Sequence, residues 1–303
     1  MTTPSIETSD IELPHGIVLS CRSCGPSAAP RLVFLHGFPE GAFVWDEMLR
    51  RFGGRYRCVA PNLRGYERSS APREVEAYRA KHLVADLAAL ADALGGPLEA
   101  LVAHDWGGAA AWAFAVQHPD KLKRLAIVNS PHPATFLREL QSNPAQRSAS
   151  AYMNFLRRPD AAQLLAENDH ARLWPFFERM GAAAGPQQGA GWLDAATRER
   201  YRAVWAHGLD GALNYYRASP LHPPTDDDRA VMDLAFPAEA VTVRVPTLVV
   251  WGEADVALPP ALLDGLDAFV PDLRIVRVPG ATHWIVHERP ALVASEIERF
   301  LAR

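Results

Sequence analysis

The sequence is poor in the features that mark several classes of protein. It has three cysteines, Cys21, Cys24 and Cys58, in 303 residues. So small and odd a number argues against a disulfide scaffold and indicates a reducing compartment such as the cytoplasm. No run of about 20 apolar residues occurs, so we expect no membrane-spanning helix. The first ten residues, MTTPSIETSD, contain neither a basic nor an apolar region, so we expect no signal peptide.

An excess of charge of one sign is also lacking. The chain has 31 basic and 35 acidic residues and a net charge of −4, so neither nucleic acid nor an anionic membrane is an expected partner. Cys21 and Cys24 form one C-x-x-C pair without a second pair or a finger-spaced histidine, so we expect chance placement in an N-terminal hairpin rather than zinc. A homodimer is compatible with this composition, and the oligomeric state stays open.

What the sequence does contain is 49% hydrophobic residues, enough for a large core in one domain or two. Short apolar runs alternate with longer helical patterns. Strands are expected at 17–21, 32–35, 56–60, 100–103, 125–128, 247–251 and 273–278, and helices at 80–94, 108–118 and 290–301. Hydrophobic strands that alternate with helices predict an α/β fold with a mostly parallel sheet covered on both faces.

The pattern changes in the middle of the chain, where residues 134–237 are helical and aromatic without a clear strand. We therefore expect a core formed by residues 1–133 and 238–303, with 134–237 inserted as a helical cap. An insertion above the carboxyl ends of parallel strands would form a lid over a site there.

Asp105 stands where a strand, a tight turn and a helix are expected to meet, in the segment 101–108 (LVAHDWGG). This is the layout of a nucleophile elbow, with small residues around the nucleophile. An aspartate there excludes serine esterase chemistry. A carboxylate is suited to displacement at an sp³ carbon, which leaves an alkyl ester that water must cleave. The alternative is that Asp105 caps the helix that begins at Trp106.

The turn after the strand at 32–35, His36 to Pro39, is a candidate partner of the elbow. It can direct the Phe38 N–H toward the site, and the Trp106 N–H supplies a second donor, so the two predict an oxyanion hole. His36 itself is expected to be structural.

Asp255 and His283 follow the last two expected strands, in the segments GEAD and PGATHW. The order nucleophile, acid, histidine is the one expected beside such an elbow. His283 is predicted to deprotonate water, and Asp255 to fix its tautomer. Glu253 is a competing acid and His287 a competing base.

Four segments resemble the epoxide hydrolases of the α/β-hydrolase superfamily: 35–45 (LHGFPEGAFVW), 60–72 (APNLRGYERSSAP), 103–112 (AHDWGGAAAW) and 129–133 (NSPHP). The resemblance covers nearly the whole chain. It implies an α/β-hydrolase fold and the conversion of an epoxide to a vicinal diol, with Asp105 as nucleophile, His283 as base and Asp255 as its partner. It also implies a small hydrophobic substrate and no metal or cofactor.

Epoxide hydrolases also use two lid tyrosines, and the segments 151–155 (AYMNF) and 213–218 (LNYYRA) resemble those that carry them. The resemblance implies that Tyr152 and Tyr216 are these two tyrosines, which hydrogen-bond the epoxide oxygen. A phenol can donate to the epoxide oxygen because the departing alkoxide is far more basic than a phenolate, whose conjugate acid has a pKa of about 10. Tyr215 is expected only to pack.

Phe38, Trp106 and Trp284 are expected to line the substrate site. The sequence departs from the family pattern at Asn62, where aspartate is more usual, and at 156–159 (LRRP), which is more basic. These departures bear on the substrate rather than on the chemistry.

Two other functions stay open. A dehalogenase shares the nucleophile, the base and the acid, but needs donors for a halide. Phenylalanine at position 38 cannot donate from its side chain, whereas the lid tryptophans Trp174, Trp192 and Trp205 keep this alternative open. A non-catalytic ligand-binding protein is the second alternative, and the complete set of catalytic residue types argues against it.

Overall fold

The structure, a computed structural model, describes residues 5–182 and 191–303. Its strands are β1 (Glu7–Glu12), β2 (Val18–Cys24), β3 (Arg31–Leu35), β4 (Arg57–Pro61), β5 (Ala100–His104), β6 (Leu125–Val128), β7 (Thr247–Gly252) and β8 (Leu273–Val278). They form one sheet in the order β1-β2-β4-β3-β5-β6-β7-β8. The pairs β1–β2 and β2–β4 are antiparallel, and the others are parallel. The predicted α/β fold with a mostly parallel sheet is confirmed.

The first strand, β1, lies outside the predicted strands. Its sequence, ETSDIE, is polar, and all but one of its residues are exposed. An edge strand of this kind lacks the apolar alternation by which a strand is recognised. The neighbouring β2 contains Cys21 and Cys24 three positions apart, so their side chains point to opposite faces of the sheet.

The α-helices are α1 (Asp46–Phe52), α2 (Ala80–Ala93), α3 (Asp105–Gln117), α4 (Pro133–Ser142), α5 (Pro144–Ala149), α6 (Tyr152–Leu156), α7 (Ala161–His170), α8 (Leu173–Phe177), α9 (Ala195–Trp205), α10 (Asp210–Ala218), α11 (Ile285–Glu288) and α12 (Pro290–Leu301). The predicted helices correspond to α2, α3 and α12. Helix α12 has the predicted bounds. Helix α3 begins at the elbow itself, three residues before the predicted start at Gly108. Among the described residues, no helix has the length and apolarity needed to cross a membrane.

Seven helices, α4 to α10, lie between β6 and β7, and no strand occurs among the described residues of that stretch. Aromatic side chains form much of their buried surface, with Phe177, Tyr201 and Tyr215 almost fully buried. These rings join the core cluster that also covers the sheet. The helices therefore pack on the sheet domain through a continuous apolar contact.

Candidate active site

The carboxyl edge of the sheet gathers the loops that follow five parallel strands, β3 and β5 to β8. In a parallel sheet every strand delivers its next loop to the same edge. Residues separated by up to 245 positions are thereby brought together. The loops carry, in chain order, Phe38, Asp105, Asn129, Asp255 and His283.

Asp105 occupies a strained turn between β5 and α3. Its φ is +49°, a left-handed conformation that costs a residue other than glycine about 1–3 kcal/mol. The surroundings enforce the turn by close approach. A Cβ at Gly107 would lie 2.5 Å from the His36 carbonyl oxygen, and one at Gly108 would lie 2.3 Å from the Ser130 Cβ. The two glycines after Asp105 are therefore required by the geometry of the elbow.

The carboxylate of Asp105 faces the neighbouring loops rather than α3. Its Oδ1 accepts the Phe38 N–H at 2.7 Å, and its Oδ2 lies 3.8 Å from His283 Nε2. The N-cap position of α3 is His104, and no side chain caps this helix. The helix-cap alternative for Asp105 is therefore wrong. A Cβ at Gly37 would lie 2.2 Å from Asp105 Oδ1, so only glycine lets this loop approach the carboxylate.

The predicted oxyanion donors are the backbone N–H groups of Phe38 and Trp106. The Phe38 N–H already binds Asp105 Oδ1. Trp106 is the second residue of α3, and the first N–H groups of a helix have no partner within it. Both amides are thus available to an oxygen at the nucleophile.

The imidazole of His283 is held between two carboxylates. Its Nδ1 lies 2.7 Å from Asp255 Oδ2. The same oxygen accepts Asn129 Nδ2 at 2.7 Å, and Asp255 Oδ1 accepts the N–H groups of Ala257 and Leu258 at 2.9 Å each. Asp255 is thereby fixed by four donors, and the bond to Nδ1 leaves Nε2 of His283 facing Asp105.

Burial of His283 disfavours its charged form. Nearby carboxylates, those of Asp255 and Asp105 first, outweigh the burial and raise the pKa of His283 to about 9.

The competing acid and the competing base lie away from this pair. Glu253 pairs with Arg277 at 3.5 Å, and His287 contacts Glu40 rather than the nucleophile.

Tyr152 of α6 and Tyr216 of α10 lie side by side above the elbow, with ring centroids 6.4 Å apart. Tyr216 packs edge-on against Phe38 at 5.3 Å and Trp106 at 5.0 Å. Burial, and then the negative charge of Asp105 among other groups, raises the pKa of both phenols well above 10. Both therefore stay protonated and can donate. Tyr215 instead donates to the Arg64 carbonyl oxygen at 3.0 Å, a packing role.

Glu40 and His104 form a buried network beneath His283 that the sequence reasoning missed. The two side chains are 1% exposed. His104 Nδ1 lies 3.1 Å from Glu40 Oε2, and its Nε2 lies 3.0 Å from the His283 carbonyl oxygen. Burial alone would raise the pKa of Glu40, but hydrogen bonds from His104 and His287 hold it well below the usual range. The sequence offers one signal of this network, which is the presence of Glu40 in the otherwise apolar segment that follows β3.

The three tryptophans of the helical segment differ in their contacts, and the Nε1 of Trp192 is buried without a hydrogen-bond partner among the described residues. The Trp205 Nε1 donates to the Pro39 carbonyl oxygen at 2.7 Å. Trp192 stacks on His287 with centroids 4.1 Å apart, and Trp174 lies beneath the guanidinium of Arg198 at 4.8 Å. The predicted substrate residue Trp284 is fully buried. Its Nε1 donates to the Phe177 carbonyl oxygen at 3.0 Å, and its ring meets that of His283 edge-on at 5.0 Å.

The described residues contain no group of three or more His, Cys, Asp or Glu side chains that could hold a metal ion. The side chains brought together at the elbow are the carboxylate of Asp105, the pair of His283 and Asp255, and the phenols of Tyr152 and Tyr216, with the Phe38 N–H bound to Asp105.

Comparison with known proteins identifies the family of the chain. The family model of the α/β hydrolase fold matches residues 30–290. Epoxide hydrolase 3 of Xenopus tropicalis is 34% identical over 290 residues, which cover 94% of this chain and 75% of that protein. An epoxide hydrolase of Caballeronia sordidicola is 32% identical, with 95% and 91% covered.

Solved structures agree in fold as well. An epoxide hydrolase from metagenomes of hot environments superposes with a TM-score of 0.84 at 38% identity, covering 98% of this chain and 99% of that one. The Bacillus megaterium epoxide hydrolase, solved with an inhibitor, superposes with a TM-score of 0.87 at 30% identity, covering 97% and 100%. The chain belongs to the epoxide hydrolases of the α/β-hydrolase superfamily.

Proposed function

We propose that this protein hydrolyses an epoxide to a vicinal diol through an ester formed on Asp105. The observation that carries the proposal is the pair of phenols, Tyr152 and Tyr216, placed over an aspartate at the elbow. A carboxylate nucleophile needs no activation, whereas an epoxide oxygen needs a proton as its bond to carbon breaks. The site supplies both.

The first step uses the free oxygen of the nucleophile. Asp105 Oδ1 is engaged by the Phe38 N–H, so Oδ2 attacks the epoxide carbon in line with the breaking C–O bond. The electron pair of that bond goes to the epoxide oxygen. Tyr152 and Tyr216 donate hydrogen bonds to this oxygen, one of them transfers its proton, and the product is a β-hydroxyalkyl ester of Asp105.

The second step is hydrolysis of this ester. Nε2 of His283 removes a proton from water, and the resulting hydroxide attacks the Asp105 carbonyl carbon. The 3.8 Å between Nε2 and Asp105 Oδ2 is a separation that a water molecule bridges. The tetrahedral oxyanion develops on Oδ1, which the Phe38 N–H already binds, with the Trp106 N–H beside it. Collapse of this intermediate breaks the bond to the alkyl oxygen, which takes the proton of the new Asp105 carboxyl group and leaves as the diol. The proton held by His283 passes through solvent to the tyrosinate formed in the first step, so every group returns to its starting state.

Charge couples the two steps. The carboxylate of Asp105 helps to raise the pKa of His283 to about 9. Esterification removes that negative charge, so the pKa of His283 falls when a general base is needed. The same event that loads the ester therefore favours the neutral imidazole that cleaves it.

A dehalogenase is less well supported. Position 38 offers only a backbone donor, and the indole N–H of Trp205 is bound to Pro39. A halide needs donors but no proton, whereas the two buried phenols suit an oxygen leaving group.

Several finer assignments belong to this proposal. We assign residues 1–133 and 238–303 to the hydrolase core and 134–237 to a cap, because the intervening helices bring Tyr152 and Tyr216 over the elbow.

Location in the cytoplasm is supported by three cysteines that are all free and buried. The net charge of −4 supports the expectation that nucleic acid is not a partner. The substrate is a small hydrophobic epoxide, because Phe38 and Trp106 stand beside the phenols. A homodimer stays a prediction.

The proposal is tested by trapping the ester. His283→Gln should still be alkylated and should then hydrolyse the ester slowly, so its intact mass should rise by the mass of styrene oxide. The wild type and His207→Gln, which alters an exposed histidine, should accumulate no adduct. An unmodified His283→Gln protein after exposure would overturn the mechanism. Parallel assays of diol formation and of bromide release from a bromoalkane separate the two enzyme classes, and a protein inactive in both would support ligand binding instead.

A further inference from the structure

A cavity lined by arginines lies between the helices that carry the two tyrosines. It has a volume of about 290 Å³, and its lining, as far as the chain is described, includes no acidic and no apolar residue: Asn154, Arg157, Arg158, Arg217 and Thr225. The chain as a whole has a net charge of −4, so this local concentration of positive charge runs against the balance of the molecule. We call it the arginine cavity. It includes both arginines of the segment LRRP.

The arginine cavity is built on the supports of the active site. Arg157 follows the last residue of α6, the helix that begins with Tyr152. Arg217 follows Tyr216 directly on α10. Successive residues of a helix point about 100° apart, so the side chain of Arg217 points in a different direction from the phenol of Tyr216. A ligand in the cavity would touch both helices without entering the active site.

The arginines have hydrogen-bonding capacity that protein partners do not use. Eight buried side-chain nitrogen or oxygen atoms lack a partner among the described residues. Three of them belong to this one lining: Asn154 Oδ1, Arg157 Nε and Arg217 Nε. An unpaired buried polar atom costs about 1–3 kcal/mol, and three such atoms are concentrated in this one lining.

The ion pairs of these arginines lie near the surface, and the closest joins Arg158 to Asp160 through two hydrogen bonds of 2.8 Å and 2.5 Å, with the Asp160 side chain 45% exposed. Arg157 lies 3.2 Å from Asp228, and Arg217 lies 3.3 Å from Asp210. The two carboxylates are 39% and 74% exposed, and exposed pairs contribute little. A cation near the end of each helix offsets the negative end of the helix dipole, but that role needs neither a shared cavity nor three guanidinium groups.

A second cavity of about 540 Å³ adjoins the first through Arg157, which lines both. Its lining combines the basic groups of Arg79 and Lys81 and the carboxylate of Asp228 with the side chains of Ala218, Pro220 and Ala230. Alanine and proline side chains give this second space an apolar part beside its basic groups. An anion with a short apolar chain would fit the two spaces together.

We propose that the arginine cavity binds the carboxylate or phosphate group of a small organic anion, with the adjoining cavity receiving its apolar part. Guanidinium groups match the paired oxygens of both anions through two parallel hydrogen bonds. Arg157, Arg158 and Arg217 are the binding residues, and Asn154 and Thr225 offer further polar contacts.

Titration calorimetry on the full chain at constant ionic strength tests the proposal, with inorganic phosphate, acetate and hexanoate as probes. We expect saturable binding of one anion per chain. The double variant Arg157→Gln/Arg158→Gln should weaken binding at least about tenfold. Arg299→Gln is the matched control, because this exposed arginine also pairs with a nearby carboxylate, Glu296.

The probes separate the two sources of the anion. Hexanoate that binds more tightly than acetate and phosphate supports an amphiphilic carboxylate, whereas phosphate that binds best supports a phosphate ligand and overturns the role of the adjoining cavity. Absence of saturable binding, or equal affinity in the double variant, overturns the site. Arg158→Gln alone alters only a half-exposed side chain, so it keeps the test valid if the double variant does not fold. Binding is read directly, so the result is independent of epoxide hydrolysis.

Discussion

Two aspartates in this site have the same side chain and opposite tasks, and their partners account for the difference. The oxygens of Asp255 accept four donors, so their lone pairs are engaged and this carboxylate is a poor nucleophile. Asp105 has one oxygen bound by the Phe38 N–H and the other free toward His283. Reactivity at the residue scale is therefore set by how many lone pairs the fold leaves unengaged.

Replacing Asp105 by asparagine should lower the pKa of His283, because the variant removes one of the carboxylates that raise it to about 9. An NMR titration of the His283 ring measures the change. Glu253→Gln removes a carboxylate that pairs with Arg277 instead, and it should leave the pKa of His283 unchanged. The same pKa in Asp105→Asn and wild type would contradict the electrostatic coupling of the two steps.

The same shift affects stability, with a definite sign. The pKa of His283 is raised from 6.5 to about 9 on folding, so the folded chain binds this proton more tightly than the unfolded chain does. The stabilisation is fully present below pH 6.5 and is lost as the pH rises through about 9. Asp105→Asn should therefore reduce the pH dependence of the unfolding free energy in that window.

Loss of either phenol should slow epoxide opening more than ester hydrolysis, because the phenols act on the departing oxygen. We expect Tyr216→Phe and Tyr152→Phe to slow single-turnover alkylation by roughly 100-fold or more. Tyr215→Phe is the adjacent control. The Tyr215 hydroxyl binds the Arg64 carbonyl oxygen, so the Tyr215→Phe variant should be less stable than the wild type. Its rate of alkylation should stay near the wild-type rate. Equal rates of alkylation in Tyr216→Phe and wild type would remove this tyrosine from the mechanism.

At the scale of the element, the loop between β8 and α11 positions His283, the proposed base. Thr282, the residue before His283, donates its N–H and its hydroxyl to the buried carboxylate of Glu288, at 2.8 Å and 2.6 Å. On the other side His104 binds the His283 carbonyl oxygen. A short helix and a neighbouring strand end thus hold the backbone of a catalytic loop that has no regular structure.

Removing the carboxylate of Glu288 should therefore affect hydrolysis of the ester more than its formation. We expect Glu288→Ala to slow hydrolysis by about 100-fold, the cost of a displacement of roughly 1 Å in a catalytic group, and to leave alkylation close to wild type. Rapid-quench kinetics separate the two steps. Glu298→Ala, on the surface of α12, is the control. A parallel loss in both steps would show general destabilisation rather than positioning of His283.

The parts of the site that the sequence predicts are those whose chemistry can be read locally. Asp105, Asp255 and His283 follow apolar strands, and the elbow carries its own glycines. Glu40, His104 and His287 could not be grouped in this way, because positions up to 247 apart in the chain meet only when the sheet forms. The polar strand β1 was not predicted, for a related reason. Its stability comes from pairing with β2 rather than from an apolar pattern in its own sequence.

At the scale of the whole molecule, buried hydrogen bonds fasten the helical segment to the loops of the core. Trp205 donates to the Pro39 carbonyl oxygen, Tyr201 to Glu40, and Tyr215 to the Arg64 carbonyl oxygen. In the opposite direction Trp284 donates to the Phe177 carbonyl oxygen. Each bond ends on a loop at or beside the active site, so the helices that hold the phenols and the loops that hold the nucleophile and base form one framework.

The Tyr201 hydroxyl is the test of this framework, because it meets a fully buried carboxylate at 3.0 Å. Tyr201→Phe keeps the ring and removes the bond, and a hydrogen bond to a charged group contributes about 1.5–3 kcal/mol. Urea unfolding should show a loss of that size, whereas Tyr56→Phe, at a half-buried ring on the core, should show little. His104 and His287 still bind Glu40 in the variant, so the pKa of His283 should stay near its wild-type value. A lowered unfolding free energy together with an unchanged histidine titration would establish that this bond joins the helical segment to the core without tuning the base, and an unchanged unfolding free energy would contradict its role.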